Sequence, residues 1–243
     1  MITLIGTGHV FDLSLALLAI FDEKQPEVIC VELDKQRYNA LMMRRAHPES
    51  YKTAQKNVPV VYKLLARFQE SIASEYGVQP GDEMITAITY AQSHQIPLEF
   101  IDMNAQQLFT KMWHAMTVSE KLKLLLTGFG AFFVSRKRVE KELQRYQDDF
   151  DTYIEEVGAK FPTIKKMLID ERNRYMTHRL VHLNEKYSRV IACVGDGHIQ
   201  GMAHLLQSKQ IDVETIRLQE LQEQKTKDVD ATSAYFTTDY KSL

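Results

Sequence analysis

Two short motifs that combine glycine with histidine constrain the fold of this chain more than any other feature. Gly6-Thr7-Gly8-His9 follows an apolar run at residues 2–5, and Gly195-Asp196-Gly197-His198 follows another at residues 190–194. Each segment predicts a buried strand, a glycine turn and then a helix. Side chains just beyond the carboxyl ends of parallel strands converge on one crevice. We therefore expect the two histidines to form one site.

The remaining pattern predicts an α/β fold. A strand at 2–5, a helix at about 12–23 and a strand at 28–32 make a βαβ unit with a right-handed crossover. Further strands are predicted at 97–101, 190–194 and 213–218. The segment from about 105 to 187 has a helical pattern and is too long for a crossover connection between two strands, so it indicates a large helical insertion. We predict a small mixed, largely parallel sheet flanked by helices in one domain at 1–220, with a polar tail at 221–243.

Composition restricts the partners and the compartment. The 30 Lys and Arg residues nearly balance 32 Asp and Glu, which gives a net charge of -2 and no basic footprint for nucleic acid. Cys30 and Cys193 lie in apolar strand-like runs, which indicates buried free thiols and a reducing, cytoplasmic location. The apolar run at 122–134 is too short to span a bilayer. It is typical of a buried helical hairpin, and the alternative is a membrane-surface or homo-oligomer contact.

Acidic and basic residues next to the second predicted strand are candidates for chemistry. Glu32 ends that strand and places a carboxylate in the same crevice as His9, while Asp34 fits the cap of the next helix better. Arg37 lies in that helix. It pairs with Glu32, binds a substrate carboxylate or is simply solvated.

Other polar positions are ambiguous from the residues alone. Glu83 falls in the first turn of a predicted helix, where its charge suits the helix dipole. Asp102 closes the third strand, and capping the next helix explains it equally well. Glu171 shares a helix face with Arg174 or Tyr175, as it also would in an exposed, salt-bridged helix.

His9 and His198 are the strongest candidates for metal ligands. Imidazole with carboxylates nearby suits a divalent ion such as Zn, Mn or Co, which lowers the pKa of bound water and polarises a carbonyl. The alternative is anion or backbone binding at two glycine turns, with histidine as a core residue. Phe11 stands where a dinucleotide fingerprint needs its third glycine, so that motif is absent.

Five motifs in order make a resemblance recognisable. They are Leu4-Ile5-Gly6-Thr7-Gly8-His9-Val10, Val31-Glu32-Leu33-Asp34 with Arg37, Gly81-Asp82-Glu83-Met84, Asp170-Glu171-Arg172 with Tyr175-Met176, and Val194-Gly195-Asp196-Gly197-His198-Ile199-Gln200-Gly201. Together, over roughly residues 1–218, they resemble the TraB/PrgY/GumN family of pheromone-shutdown proteins. The same superfamily includes the Tiki proteases and is distantly similar to erythromycin esterases and haem-binding ChaN-like proteins.

The resemblance implies a metal-dependent peptidase, or a protein that binds or sequesters short hydrophobic, pheromone-like peptides. The family positions carried over are His9, Glu32, Glu83, Glu171, Arg172 and His198. We expect His9, Glu83 and His198 to hold Mn, Co or Zn. We expect Glu32 or Glu171 to be the general base. Arg172 or Arg37 would stabilise the oxyanion or hold a peptide carboxylate.

Two departures and two alternatives accompany this reading. Met103 follows Asp102 where many relatives have arginine, and the C-terminal membrane helices of many relatives are absent, which implies a soluble or trimmed version. We expect an apolar wall for the peptide from Trp113, Phe129, Phe132 and Phe133. The alternatives are a non-catalytic peptide-sequestering protein and a metal-free, esterase-like hydrolase that uses a histidine base.

Overall fold

The computed structural model describes residues 1–8, 13–46, 82–131, 155–156 and 158–223, with side chains omitted at 44, 82 and 125–131. Several predictions from the sequence therefore lie outside the described residues. These are the metal-ligand role of His9, the aromatic wall at Phe132 and Phe133, and the tail from residue 224 onward.

Five parallel strands form the sheet. They are β1 Ile2–Thr7, β2 Val28–Val31, β3 Leu98–Phe100, β4 Val190–Gly195 and β5 Val213–Ile216. Their order is β3-β2-β4-β1-β5, and every pair of neighbours runs parallel. The residues of β1 and β2 are buried throughout, as expected for a parallel sheet covered on both faces. The predicted α/β class with a largely parallel sheet is confirmed.

Helices cover both faces of this sheet. Their bounds are α1 Ser14–Lys24, α2 Lys35–Ala46, α3 Asp82–Ser93, α4 Ala105–Ala115, α5 Val118–Ala131, α6 Pro162–Lys165, a π-helical turn Lys166–Asp170, α7 Glu171–Asn184 and α8 Asp196–Gln207. On one face, Phe21 of α1 and Ile88 of α3 pack into a single core. On the other, Met176 and Leu180 of α7 pack with Met202 of α8. The first core also includes Leu221, which is completely buried just inside the predicted tail.

The first glycine of each motif extends a strand instead of forming the expected turn. Gly6 pairs with Val194 and Thr7 with Gly195, so β1 and β4 both run further than the apolar residues alone predict. Gly195 is then the N-cap of α8, which begins at Asp196 with no intervening turn. His198 therefore lies in the first turn of the helix, not before it.

The topology places the fourth strand in the middle of the sheet. β4 lies between β1 and β2, and the connections that leave β1 and β4 run toward opposite edges. In open α/β sheets, such a reversal opens a crevice beyond the carboxyl ends of the strands. The residues that follow β2, β3 and β4 therefore meet there.

Apolar side chains are exposed at the start of the predicted hairpin. Val118 is 82% exposed and Leu122 is 56% exposed on the first two turns of α5, and Lys121 lies over the ring of Trp113. None of the described helices is both long and apolar enough to cross a membrane. A membrane-surface or homo-oligomer contact through this segment stays a prediction.

β1 and α8 approach each other closely at Gly6. A Cβ atom there would lie 2.2 Å from Oδ1 of Asp196, which accepts hydrogen bonds from Arg217 and from the amide of Leu218. Because the carboxylate is held on the far side, we expect Gly6→Ala to lower the free energy of unfolding by about 1–3 kcal/mol. Urea titration of both proteins measures this difference.

The same substitution in an Asp196→Ala background is the control. With the obstructing carboxylate removed, Gly6→Ala should cost clearly less than it does in the wild type. An equal cost in both backgrounds would show that this contact is not the cause.

Candidate active site

Five side chains meet beyond the carboxyl ends of β2, β3 and β4, and we call them the Arg172 cluster. Its members are Glu32, Asp102, Arg172, Asn173 and His198. Glu32, Asp102, Asn173 and His198 are each at most 8% exposed. The side chain of Arg172 is 13% exposed. Glu32 follows β2, Asp102 follows β3, and His198 lies in the first turn of α8. The other two come from the first turn of α7, which crosses the strand ends.

Glu32 links three elements at the centre of the cluster. Its Oε2 accepts the amide of Gly195 at 2.6 Å, and its Oε1 accepts Nη2 of Arg172 and lies 3.6 Å from Nε2 of His198. A Cβ on Gly195 would make a tight contact of 3.3 Å with the same carboxylate. Burial alone would raise the pKa of Glu32, but Arg172 and the amide hold that pKa well below its ordinary value. The side chain is a carboxylate anion.

Arg172 donates hydrogen bonds from all three of its guanidinium nitrogens. Its Nε and Nη2 donate to the two oxygens of Asp102, both at 2.9 Å, and Nη1 donates to the carbonyl of Leu168 at 3.3 Å. That carbonyl belongs to the π-helical turn directly before α7. Burial would lower the pKa of Arg172, but the two carboxylates raise it above its ordinary value. Arg172 therefore holds the strand ends together.

Arg37 approaches the same cluster from α2 but stays partly in solvent. Its Nη1 donates to Oδ2 of Asp102 at 3.0 Å, and its side chain is 40% exposed. Asp34 accepts the amides of Gln36 and Arg37, so its predicted role as the cap of this helix is confirmed. The amide of Met103 donates to the other oxygen of Asp102.

His198 is oriented by a residue that the sequence motifs did not single out. Its Nδ1 lies 2.6 Å from Oδ1 of Asn173. With the amide oxygen in this orientation, Nδ1 carries the proton and Nε2 is an acceptor in the neutral ring. Burial lowers the pKa of His198, which favours that neutral form. Gly201 closes the far side, since a Cβ there would lie 2.3 Å from Nδ2 of Asn173.

The sequence did contain a sign of this role for Asn173. The residue lies in the buried stripe of α7, in line with Met176, Thr177 and Leu180. A polar amide within an apolar stripe needs a hydrogen-bond partner. The helical period places it on the core face, but only the packing of α7 against α8 shows that the partner is His198.

The two remaining predicted site residues are placed differently from each other. Glu171 is bonded to Arg174 at 2.8 Å, in a pair whose side chains are 36% and 62% exposed, so the structure does not bring it into the cluster. Glu83 is buried at the start of α3, on the sheet face opposite to α7 and α8. Burial, together with the charge of Glu83, raises the pKa of the Cys193 thiol to about 12.

The side chains of the cluster differ in how well they fit the role of ligand to a divalent metal ion. Among the described residues, no group of three or more His, Cys, Asp or Glu side chains is arranged to hold a metal. Nε2 of His198 fits the role of a metal ligand because Asn173 leaves it deprotonated. Glu32 fits less well, since a cation at Oε1 would compete with Arg172.

The lowered pKa of His198 predicts a pH dependence of stability in metal-free protein. The unfolded chain takes up a proton at this residue near pH 6.5, whereas the folded chain does so only at lower pH. The free energy of unfolding should therefore fall as the pH decreases below about 6.5, by no more than about 1.4 kcal/mol per pH unit for one proton.

Urea unfolding at pH 7.5, 6.5 and 5.5 (buffer values chosen to bracket the ordinary histidine pKa) measures this dependence in EDTA. The free energy of unfolding should depend less steeply on pH in His198→Gln than in the wild type. The variant His204→Gln changes an exposed histidine of the same helix and should keep the dependence of the wild type. Identical slopes in all three proteins would contradict a lowered pKa at His198.

The chain is similar in sequence to several known proteins. Residues 1–215 match the model of the TraB/PrgY/gumN family. An uncharacterized protein of Methanocaldococcus jannaschii is 30% identical over 213 residues, which is 84% of this chain and 53% of that protein. A TraB domain-containing protein of Bos taurus is 23% identical over 232 residues, 82% of this chain and 60% of that protein. The chain thus spans little more than half the length of these relatives.

One solved structure is also similar. Its title reads "Cofacial heme binding to ChaN of Campylobacter jejuni". The alignment covers 89% of this chain and 79% of that one, with 12% identity and a TM-score of 0.38.

Proposed function

The chain belongs to the TraB/PrgY/gumN family, and we propose that it is a hydrolase of short hydrophobic peptides with the Arg172 cluster as its active site. One observation carries the proposal. Nε2 of His198 and Oε1 of Glu32 lie 3.6 Å apart. When the imidazole is neutral, its Nε2 is a hydrogen-bond acceptor, and so is the carboxylate oxygen that faces it. The space beside these two atoms therefore suits a proton or another cation.

In this proposal, His198 is the general base. Nε2 takes a proton from the attacking water and later returns it to the leaving amine. Asn173 holds the ring in the tautomer that leaves Nε2 free for this step. When Nε2 is protonated, the neighbouring carboxylate of Glu32 stabilises the imidazolium through its opposite charge.

Arg172 then serves as a positioning residue. Its hydrogen bonds to Glu32 and Asp102 keep Glu32 ionised and aimed at the ring of His198. Because Arg172 is buried and already donates to two carboxylates, a carboxylate of the substrate falls better to Arg37, whose side chain is more exposed.

A metal-dependent form of the same site is the second candidate, because a pair of facing acceptors also suits a divalent ion. Mn, Co or Zn is the proposed cofactor, with His198 as the described ligand and His9 and Glu83 as the other proposed ones. When bound, such an ion would polarise the scissile carbonyl and acidify a water molecule. Glu32 would keep its contact with Arg172 or exchange it for the ion.

A peptide-cleavage assay tests the proposal. The wild type, His198→Ala and His204→Ala are incubated with a pool of N-acetylated hydrophobic hexapeptides, and the products are identified by mass spectrometry. We expect His198→Ala to lose about 100-fold or more of the activity, the usual contribution of a general base. His204→Ala alters an exposed histidine of the same helix and should behave as the wild type.

Treatment with EDTA separates the two forms of the site. Activity that persists without metal supports His198 as the base. Loss of activity that Mn, Co or Zn restores, with bound metal absent from His198→Ala, supports the metal-dependent form. Peptide binding by the wild type without any cleavage would replace the hydrolase with a peptide-sequestering protein.

A further inference from the structure

We infer that Arg37 binds the C-terminal carboxylate of the peptide, so that the preferred substrates of this site are short peptides with a free C-terminus. This inference rests on the proposed function for the peptide chemistry, but its physical basis is independent. It comes from the different ways in which the two arginines of the site are hydrogen-bonded and exposed.

The two guanidinium groups share Asp102 unequally. Arg172 donates to both oxygens of Asp102 as well as to Glu32, and its side chain is 13% exposed. Arg37 donates one hydrogen bond, from Nη1 to Oδ2, and its side chain is 40% exposed. Its remaining guanidinium N–H groups have no hydrogen-bond acceptor among the described residues. Arg37 is thus the cation of this site that is open to a further anion.

The contact with Asp102 also orients Arg37. Asp102 is 2% exposed in its side chain and is itself held by Arg172 and by the amide of Met103. A guanidinium fixed at one nitrogen still presents N–H donors in a planar fork, which matches a carboxylate with two parallel hydrogen bonds. An arginine that served only to close the site would be expected to be buried, as Arg172 is.

The position of Arg37 relative to His198 suggests where the peptide is cut. A chain of four contacts joins them through Asp102, Arg172 and Glu32, and each contact is 3.6 Å or shorter. One residue of extended peptide spans about 3.3–3.6 Å. A carboxylate at Arg37 is therefore within about four residues of a carbonyl group beside His198. The released C-terminal fragment would be short.

The reaction is ordinary amide hydrolysis. Water forms a C–O bond with the scissile carbonyl carbon, and the C–N bond breaks. The proton that His198 removed from the water passes to the leaving amine. The substrate carboxylate at Arg37 takes no part in bond making, and it only sets the register of the peptide.

The test compares one pool of N-acetylated hydrophobic hexapeptides in two forms, as free acids and as C-terminal amides. We expect the wild type to cleave the free acids with a kcat/KM about 10- to 100-fold higher, the range for loss of one charged hydrogen-bonding partner. Arg37→Gln should cleave both forms at similar rates. Similar rates for both forms in the wild type, or an equal loss for both in Arg37→Gln, would overturn the inference.

Arg179→Gln is the matched control. Arg179 has a side chain that is 41% exposed and a single carboxylate partner, Glu99, at 3.0 Å, so it resembles Arg37 in both respects. It lies away from the Arg172 cluster, next to β3. We expect this variant to keep the preference of the wild type for free acids. Circular dichroism and urea unfolding check that both variants fold.

Calorimetric binding of the two peptide pools separates this inference from the proposed function. If the wild type cleaves neither pool but binds the free acids more tightly, and Arg37→Gln abolishes that difference, the carboxylate site is supported and hydrolysis is refuted. If acids and amides bind equally, the carboxylate site is refuted. Cleavage that is equal for both forms refutes the carboxylate site alone.

Discussion

The buried ion pairs of Arg172 are the constraint on which the site and much of its surroundings depend. One guanidinium holds Glu32 after β2 and Asp102 after β3, while it is itself part of α7. Removing charges from water is costly, and breaking one member of a buried pair typically costs about 3–5 kcal/mol because an unpaired charge is left behind. These contacts therefore determine how α7 crosses the strand ends, and with it the position of Asn173.

The strand order of the parallel sheet brings Gly195 and His198 next to Glu32. β4 lies between β2 and β1, so the amide of Gly195 reaches Glu32 and the helix that follows carries His198 back over the same edge. A neutral histidine held by an amide, next to a carboxylate that its arginine keeps ionised, combines a base with a group that stabilises its protonated form. The same contacts that hold the elements together thus set the protonation states that the proposed chemistry needs.

The family match identifies the protein family, whereas the geometry of the Arg172 cluster suggests roles for individual side chains. The family match extends over residues 1–215, a range that contains all five motifs. The cluster suggests a division of labour between its arginines, in which Arg172 is structural and Arg37 faces the solvent. Since the chain spans little more than half the length of its relatives, the activity of the whole protein remains a proposal.

The sequence by itself determined the class of the fold and several members of the site. Apolar runs followed by glycine predict buried parallel strands, because a strand covered on both faces needs apolar side chains throughout. The same strand ends predict that Glu32 and His198 share a crevice, and the structure places them 3.6 Å apart. These features depend on local pattern, which a sequence carries directly.

Tertiary structure alone decided the contacts between distant segments. The helical period shows that Asn173 faces the core, but the packing of α7 on α8 selects His198 as its partner. Glu171 and Arg172 are adjacent in sequence, yet successive residues of a helix point about 100° apart, so one pairs with Arg174 in solvent and the other with two buried carboxylates. From the sequence, Asp102 fits the cap of the next helix as well as it fits the site. In the structure its two oxygens accept hydrogen bonds from Arg37 and Arg172. Pairing between residues far apart in the chain depends on how whole elements pack, and no local pattern records it.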